Sequence, residues 1–318
     1  MNKNFAVIGN GFVGGSLTTV FHEKGFDVFV YDKAGKAAVG ANTFIRLDDK
    51  NSHESVEWEK PFESVADLIV KCERFVSDFS RIYFVCVPTP MREDGSADLS
   101  IVEGVLSELA SQPGERIAVI KSTVTPGTTA NWNLKFQSTG LKIIFCPEFL
   151  TEANALDDMR NQNRIIIGGP RPHINKVKQL FQMAFPKVPL IKTSSTTAEC
   201  VKYATNCFLA TKIAFANEFA QICEKLDESG LDIDYDKVVE YSKFDERFGN
   251  YGWTVPGPDG HRGFGLSCFP KDINALINVA KKLGVDPKVM SAAWSKNLEV
   301  RPERDWELLI GRAISEKK

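Results

Sequence analysis

The sequence is poor in the residues that build metal centres and disulfide frameworks. It has only four histidines, and its seven cysteines are scattered along the chain without a CxxC pair. An odd number of scattered cysteines is typical of reduced thiols, and a zinc site needs Cys or His ligands at close spacing. We therefore predict reduced cysteines and no metal site.

Long apolar runs and an excess of charge are missing as well. No run approaches the roughly 20 apolar residues that span a bilayer. The start, MNKNFAVIGNG, enters a strand pattern at once and leaves no room for a signal peptide. The formal net charge of -2 provides no electrostatic footprint for nucleic acid or an anionic membrane. We expect a cytoplasmic protein that binds a small molecule and neither nucleic acid nor a membrane.

The 318 residues, 43% of them hydrophobic, are enough for two domains. In the first part of the chain, short apolar runs alternate with helical patterns, which is typical of a parallel sheet. In the second part, apolar residues recur at intervals of three and four over residues 196–225. We predict an α/β protein with an N-terminal Rossmann-like, doubly wound parallel sheet in residues 1–193. An all-helical domain built on one long helix follows in residues 194–318.

A glycine-rich turn follows the first apolar run. The strand pattern FAVI leads into GNGFVG and then into a helical pattern. Gly9 would permit the tight turn, Gly11 would let a pyrophosphate approach the backbone, and Gly14 would allow close contact between helix and strand. The next strand ends at Asp32, whose carboxylate would bind ribose hydroxyls and repel a 2′-phosphate. This spacing predicts NAD rather than NADP, and glycines of an ordinary turn are the alternative.

Three further apolar runs end in polar segments. Strands predicted at 81–87, 117–120 and 141–145 lead into PTP, KSTVTPG and CPEFLTE. Because strand ends line the ligand crevice of an open parallel sheet, Thr89 and Thr123 can bind cofactor or substrate, or serve as turn and cap residues. Glu148 and Glu152 can face the crevice, where one would act as a base. They can also face water at a helix N-terminus, and their spacing alone favours this second interpretation.

The long helical pattern carries Glu199, Lys202 and Asn206 on one face. Taken alone, such a trio is typical of a solvent-exposed stripe. A helix of some thirty residues spans about 45 Å, which is more than a small domain needs. We therefore predict that this helix also forms a homodimer interface.

The segment GFGLSCFPKD follows a long loop, 244–262, that is rich in Gly, Pro, Asp and Asn. A loop of this length usually binds a ligand. Cys268 precedes a helix start predicted at Pro270, where the helix dipole and Lys271 would lower the pKa of its thiol. Asp272 could hold a water molecule. From spacing alone, a buried structural cysteine is favoured over a nucleophile.

Six motifs occur in order along the chain: GNGFVG, VPTPMREDGSADL, KSTVTPGTT, CPEFLTE, KYATNCFLATKIAFANE and GFGLSCFPKD. Together they resemble the UDP-glucose/GDP-mannose dehydrogenase family of nucleotide-sugar oxidoreductases, from Asn4 almost to the C-terminus. The resemblance implies a four-electron oxidation of a sugar C6 alcohol to a carboxylate, with two NAD used in sequence. The substrate it implies is a UDP-sugar, with UDP-glucose to UDP-glucuronate as the favoured reaction, in polysaccharide precursor synthesis.

The resemblance also implies catalytic roles. Cys268 matches the family's nucleophile, which forms a thiohemiacetal with the aldehyde intermediate and then a thioester. Lys202 and Asn206 match the lysine and asparagine that handle the alcohol proton and stabilise the oxyanion. Asp272 matches a carboxylate that orients water. Glu148 matches a second carboxylate, which the family uses as a base or for water-mediated proton transfer.

Ligand contacts are implied in the same way. Those to NAD fall on Gly9, Gly11, Phe12, Val13, Gly14, Asp32, Lys36, Val87, Pro88, Thr89, Thr123, Glu152 and Lys271. Those to the nucleotide sugar fall on Glu148, Phe149, Leu150, Lys202, Asn206, Arg247, Gly265 and Cys268. Thr123 would lie close to both ligands and is a further catalytic candidate. Arg247 would reach the sugar site of the neighbouring subunit, so a homodimer is part of the prediction.

The sequence also departs from the family pattern. The family commonly has asparagine where Cys146 stands and glycine where Leu266 stands. Typical members continue into a second Rossmann-like domain that binds the nucleotide of the substrate, whereas this sequence stops at Lys318. Two alternatives stand beside this function. One is a two-electron dehydrogenase of the β-hydroxyacid class, which shares a Rossmann half, a long helix and a lysine-asparagine pair but needs no thiol. The other is an NAD-binding protein without turnover.

Overall fold

The computed structural model describes residues 3–33, 44–45, 62–75 and 77–316. The chain divides into two compact units. The first unit comprises Met1–Thr89 and Leu99–Lys202, and the second comprises Pro90–Asp98 and Tyr203–Lys318. The predicted domain division at 193/194 remains a prediction, since the units separate inside a helix a few residues later.

The first unit is built on a mostly parallel sheet, as predicted. Its eight described strands are β1 Asn4–Ile8, β2 Asp27–Tyr31, β3 Phe44–Ile45, β4 Ile82–Val85, β5 Arg116–Ile120, β6 Leu141–Phe145, β7 Ile165–Gly168 and β8 Leu190–Thr193. Their spatial order is β3-β2-β1-β4-β5-β6-β7-β8, with antiparallel pairing at β2–β3 and β6–β7. The strand order reverses between β1 and β4, the point at which doubly wound sheets bind ligands.

Helices cover both faces of this sheet. They are α1 Phe12–Glu23, α2 Val65–Arg74, α3 Ser100–Ser111, α4 Thr128–Lys135, α5 Ala155–Arg160 and α6 His173–Ala184. In β1, Ala6 and Ile8 belong to a core with α2, α3 and α4, whereas Phe5 and Val7 belong to a core with α1, α5 and α6. Successive strand residues point to opposite faces, so a strand buried on both faces is apolar throughout.

The second unit is helical in its described part, apart from isolated β-bridges. The long helix α7, Ser195–Glu228, begins in the first unit and is followed by α8 Tyr235–Ser242, α9 Phe269–Lys282 and α10 Lys288–Val300. At 34 residues, α7 is about 51 Å long and confirms the long helix predicted at 196–225. Tyr203, Cys207, Ala210 and Ala214 recur at helical spacing and pack in one core with residues of α9 and α10.

The segment Pro90–Asp98 belongs to the second unit because it pairs with the C-terminal part of the chain. The Met91 amide donates to the Ala313 carbonyl at 2.8 Å, and the Ser315 amide donates to the Met91 carbonyl at 2.8 Å. A short 3-10 helix, Asp305–Leu308, precedes this contact. Among the helices of the described residues, none is both long and apolar enough to cross a membrane.

Candidate active site

The glycine turn between β1 and α1 has no room for side chains at two of its three glycines. A Cβ at Gly9, whose φ is +93°, would lie 2.7 Å from the Cys86 carbonyl oxygen, and a Cβ at Gly14 would lie 1.9 Å from the Gly9 carbonyl oxygen. At Gly11 nothing lies within 4 Å. The turn thus leaves open space above the N-terminus of α1, where Phe12 and Val13 form the first turn.

Asp32 follows β2 and is tied to the same turn. The backbone amide of Asn10 donates to Asp32 Oδ2 at 2.7 Å, so the Asp32 carboxylate lies beside the glycine turn. An open, glycine-lined helix N-terminus with a carboxylate after the second strand fits a dinucleotide. Lys36, also predicted to contact NAD, lies outside the described residues.

Side-chain hydrogen bonds join the carboxyl ends of β4 and β5. The Thr89 hydroxyl donates to the Thr123 carbonyl at 2.8 Å, and the Ser122 hydroxyl donates to the Val87 carbonyl at 2.6 Å. Thr89 and Thr123 are both buried. The segments Val87-Pro88-Thr89 and Ser122-Thr123 therefore form one rigid edge, and their contacts with a ligand remain a prediction.

A buried ion pair lies where β6 ends. The Lys202 ammonium donates to Glu148 Oε1 at 2.9 Å and to the Glu148 carbonyl oxygen at 2.8 Å. Burial would raise the pKa of Glu148, but the charge and hydrogen bond of Lys202, with the Leu150 amide at 2.6 Å, hold this pKa below its ordinary value. Glu148 is buried, so the interpretation that it faces water is wrong. Its partner Lys202 comes from α7, and spacing along the sequence does not reveal this contact.

The neighbourhood of this pair forms a pocket of about 210 Å³ within the first unit. The Arg164 guanidinium lies 4.1 Å from the centre of the Phe149 ring, and the buried Lys121 ammonium donates to the Pro147 carbonyl at 3.1 Å. Ordinary ligand pockets hold roughly 300–1,000 Å³, so this one suits a fragment of a larger ligand. Lys121 and Arg164 line this pocket and were not among the predicted site residues, although Lys121 stands in the motif KSTVTPG.

Glu199 is a second buried carboxylate on α7. It accepts hydrogen bonds from the Gly127 amide at 2.7 Å and the Thr129 amide at 2.8 Å, at the N-terminus of α4. Burial raises its pKa against the opposing effect of these bonds. Glu199, Lys202 and Asn206 are all buried, so the alternative of a solvent-exposed stripe is wrong. Each of the three is held by a partner that is distant in sequence.

In the second unit, Asp272 is the centre of a polar cluster. It is 1% exposed, and it accepts from Asn206 Nδ2 at 2.6 Å and from the Lys271 ammonium at 2.5 Å. The Cys207 thiol donates to the Asp272 carbonyl at 3.7 Å. The Lys271 charge, predicted to act on the Cys268 thiol, is thus bonded to Asp272. Asn206 lies one helical turn beyond Lys202 on α7.

Cys268 is the residue that caps the N-terminus of α9. The helix begins at Phe269, one residue before the predicted start, and Pro270 stands in its first turn. Cys268 is half-buried, with the Ser267 hydroxyl 3.9 Å from its Sγ. Burial raises the thiol pKa of the other cysteines, namely Cys72, Cys86 (to about 12), Cys146, Cys200, Cys207 and Cys223.

Two predicted substrate contacts of the second unit lie in loops. Gly265 packs so closely that a Cβ there would lie 2.4 Å from Arg301 Cζ. Arg247 is exposed and pairs with Asp245 at 2.6 Å, in the long loop that has no helix or strand. Leu266, at the position where the family commonly has glycine, has a left-handed φ of +58°.

The predicted site residues therefore fall into two groups. The described residues of the first unit include Gly9, Gly11, Phe12, Val13, Gly14, Asp32, Val87, Pro88, Thr89, Thr123, Glu148, Phe149, Leu150, Glu152 and Lys202. The second unit holds Asn206, Arg247, Gly265, Cys268, Lys271 and Asp272. Over the described ranges, no group of three or more His, Cys, Asp or Glu residues is arranged to hold a metal ion.

Comparison with known proteins also divides the chain into two domains. Residues 3–184 match the NAD binding domain of the UDP-glucose/GDP-mannose dehydrogenase family, and residues 196–299 match its central domain. The chain is 31% identical to the UDP-glucose 6-dehydrogenase AglM of Haloferax volcanii, over 96% of this chain and 72% of AglM. It is 33% identical to the UDP-glucose 6-dehydrogenase TuaD of Bacillus subtilis, over 94% of this chain and 64% of TuaD.

A solved structure leads to the same family. The chain resembles a UDP-glucose dehydrogenase from the archaeon Pyrobaculum islandicum with a TM-score of 0.75 and 27% identity, over 97% of this chain and 71% of that one. The chain thus spans 64% to 72% of the length of these relatives. It belongs to the UDP-glucose/GDP-mannose dehydrogenase family, with the NAD-binding and central domains of these NAD-dependent oxidoreductases that act on CH–OH groups.

Proposed function

We propose that this protein is a cytoplasmic nucleotide-sugar 6-dehydrogenase that oxidises the C6 alcohol of a UDP-sugar, UDP-glucose first among them, to a carboxylate. The observation that carries the proposal is the cysteine at the N-terminus of α9. Cys268 stands one helical turn before Asp272, whose buried carboxylate is held by Asn206 and Lys271. A two-electron alcohol dehydrogenase needs no such thiol.

The glycine turn and Asp32 would hold NAD. Gly9 and Gly14 keep side chains away from the turn, and Gly11 leaves space in which a pyrophosphate can approach the N-terminus of α1. The Asp32 carboxylate, oriented by the Asn10 amide, would accept hydrogen bonds from the adenosine ribose. Bound NAD supplies the two-electron acceptor for each oxidation.

The polar groups of α7 would act on oxygen. Lys202 and Asn206, one turn apart on this helix, bring a cation and an amide donor to the alcohol oxygen and to the oxyanion that develops later. The Glu148 carboxylate accepts a hydrogen bond from Lys202, and it would take up a proton directly or through water. Thr123, at the end of β5, would hydrogen-bond to the ligands.

Cys268 would act on carbon. Its thiolate adds to the aldehyde carbon and forms a C–S bond, and the oxygen takes up a proton to give a thiohemiacetal. Loss of a second hydride and of the hydroxyl proton leaves a thioester. Water oriented by Asp272 then attacks the thioester carbon, the C–S bond breaks, and the acid and the free thiolate are released.

A homodimer is the second part of the proposal. Phe208, Phe215 and Ile222 recur at intervals of seven on α7, and they are 67%, 55% and 49% exposed. An exposed apolar stripe along a helix of this length suits the same helix of a second copy, and the exposed Arg247 would then be available to the partner's sugar. A fully active monomer at micromolar concentration in light scattering would contradict this part.

The test of function counts NADH formed per sugar consumed on a panel of UDP- and GDP-sugars. We expect two NADH per sugar and an acid product from the parent, whereas a two-electron dehydrogenase would give one and a binding protein none. Cys268→Ser should bind NAD and fold like the parent but lose acid release by roughly a thousandfold or more, because no thioester forms. Normal acid output from this variant would show that Cys268 is only structural.

A further inference from the structure

Two residues of the second unit hold a backbone conformation that side chains disfavour. Among the described residues other than glycine, positive φ values occur at Leu266, with +58°, and at Arg304, with +42°. In this region Cβ crowds the carbonyl oxygen, so such residues persist only where their surroundings hold them. The Leu266 side chain is 43% exposed, so burial of this side chain does not explain the conformation.

One hydrogen bond joins Leu266 to the residue that directly follows Arg304. The Leu266 amide donates to Asp305 Oδ2 at 2.8 Å, and Asp305 directly follows Arg304. Asp305 itself begins the short 3-10 helix, in which Trp306 is buried and lies 5.2 Å from the Trp294 ring. The acceptor therefore sits on a well-packed support.

The other oxygen of Asp305 is bound by a buried arginine. Arg301, 2% exposed, donates from Nε to Asp305 Oδ1 at 2.6 Å and from Nη2 to Asp259 Oδ2 at 2.8 Å. Gly265 lies directly against this pair, since a Cβ there would be 2.4 Å from both Arg301 Cζ and Asp305 Oδ1. The arginine thus fixes the carboxylate in the position that meets the Leu266 amide.

The start of the same loop is held by a second side chain. Asn297 accepts from the Phe264 amide at 2.7 Å and donates to the Phe264 carbonyl at 2.9 Å. Asp305 acts two residues later, and Cys268 follows Leu266 by two more residues. The backbone that leads into α9 is therefore hydrogen-bonded to two side chains, that of Asn297 in α10 and that of Asp305 in the segment after it.

We propose that Asp305, ion-paired with Arg301, is a positioning residue that holds Leu266 in its left-handed conformation and thereby fixes Cys268 at the start of α9. The proposal rests on the proposed function in one respect, the role of Cys268 as the nucleophile. Asp305 itself would touch neither substrate nor cofactor. Its removal would let Leu266 relax and would shift the thiol that follows.

The test compares Asp305→Ala with Asp259→Ala, which removes the other carboxylate of Arg301 but leaves the Leu266 amide bond in place. In each protein, alkylation of Cys268 by iodoacetamide is followed by peptide mass spectrometry, with the exposed Cys200 as internal reference. We expect Asp305→Ala to change the Cys268 to Cys200 rate ratio by about tenfold and Asp259→Ala to leave it within about threefold.

Turnover provides a second readout. With saturating nucleotide sugar, Asp305→Ala should lower kcat by about ten- to a hundredfold with little change in KM, because a shift near 1 Å of a reacting group has effects of this size. Adding Leu266→Gly should return both kcat and the alkylation ratio most of the way to the parent's values, since glycine adopts this conformation without the Cβ conflict. If Asp305→Ala does not fold, Asp305→Asn, which keeps the volume, takes its place with the same expectation in smaller measure.

The outcomes separate the two proposals. A folded Asp305→Ala with the parent's alkylation ratio, an Asp259→Ala that reproduces the same change, or no recovery with Leu266→Gly would each overturn the positioning role. Alkylation requires no turnover, so it decides this role even if no sugar is oxidised or if Cys268→Ser still releases acid. Those last two results would instead overturn the proposed function.

Discussion

The two units position their polar groups by different means. In the first unit, Gly9, Thr123 and Glu148 each follow the carboxyl end of a strand, and neighbouring strands are joined by regular backbone hydrogen bonds. In the second unit, Asn206 stands on a helix and donates to Asp272, and Cys268 ends an irregular loop in which the Leu266 amide donates to the Asp305 side chain. A sheet edge is maintained by many backbone bonds, whereas the loop depends on a few polar groups.

Because of this difference, we expect the two units to respond differently to single substitutions. A single substitution on the sheet edge removes one group but leaves the neighbouring strand ends in place, because the ladder that holds them is intact. A single substitution among Asn297, Arg301 and Asp305 is expected to loosen a stretch of backbone, because it leaves buried hydrogen-bond partners unsatisfied. The ion pair on α7 is the exception in the first unit, since it combines a strand end with a helix.

The largest effect on stability is expected from breaking that ion pair. Lys202→Met should lower the free energy of unfolding of the protein by about 3–5 kcal/mol, because Glu148 stays buried without its cation. The double variant Lys202→Met/Glu148→Leu should recover much of this loss, since no buried charge remains. Urea unfolding of the parent and the variants measures both. A single variant as stable as the parent would show that the pair is not coupled to folding.

The next effect distinguishes the glycines of the NAD turn. Gly14→Ala should destabilise the first unit by about 3 kcal/mol, since its Cβ would meet the Gly9 carbonyl at 1.9 Å and the backbone must shift. Gly11→Ala, with no atom within 4 Å, should cost no more than about 1 kcal/mol. Thermal unfolding without ligand compares the two variants. Equal losses would mean that the turn tolerates a shift, contrary to its tight packing.

A smaller effect is expected on cofactor preference. Asp32→Asn removes the charge that would repel a 2′-phosphate but keeps an acceptor for the Asn10 amide. We expect the ratio of NADP to NAD dissociation constants to fall by about tenfold, or about 1.4 kcal/mol. Fluorescence titration with both cofactors measures this ratio. An unchanged ratio would exclude Asp32 as the discriminating residue.

The smallest effect is expected in the second unit, as a pH dependence of the stability that Asp305 contributes. Burial would raise the pKa of Asp305, but hydrogen bonds from Arg301 and the Leu266 amide hold it below its ordinary value of about 3.9. This contribution to stability is therefore present above pH 4 or so and is lost as pH falls through the lowered pKa. Asp305→Asn should differ from the parent by on the order of 1 kcal/mol near neutral pH and by less near pH 3, by urea unfolding. A constant difference at both pH values would contradict this linkage.

Much of the fold was predictable because local periodicity reflects burial. The strand 141–145 was predicted with its observed bounds, and α7 was predicted from 196–225 within a few residues of its ends. A strand that is buried on both faces is a continuous apolar run, and a helix with one buried face has apolar residues at intervals of three and four. Both patterns can be read from the sequence. The turn between β1 and α1 was likewise predictable. Side chains have no space at Gly9 and Gly14, so both positions need glycine, and glycine is recognisable in the sequence.

The sequence alone thus determined the sheet, the long helix, the family and the types of residue available for chemistry. Only the tertiary structure decided which carboxylates are buried and what holds them. Sequence spacing favoured a water-facing Glu148 and a solvent-exposed Glu199. In the structure, Glu148 is buried and pairs with Lys202 of α7, and Glu199 is buried and accepts from backbone amides at the N-terminus of α4. Asp305 carried no signal at all, since its partner amide is 39 residues away in the chain. Long-range partners determine burial and charge, and these depend on packing rather than on spacing along the chain.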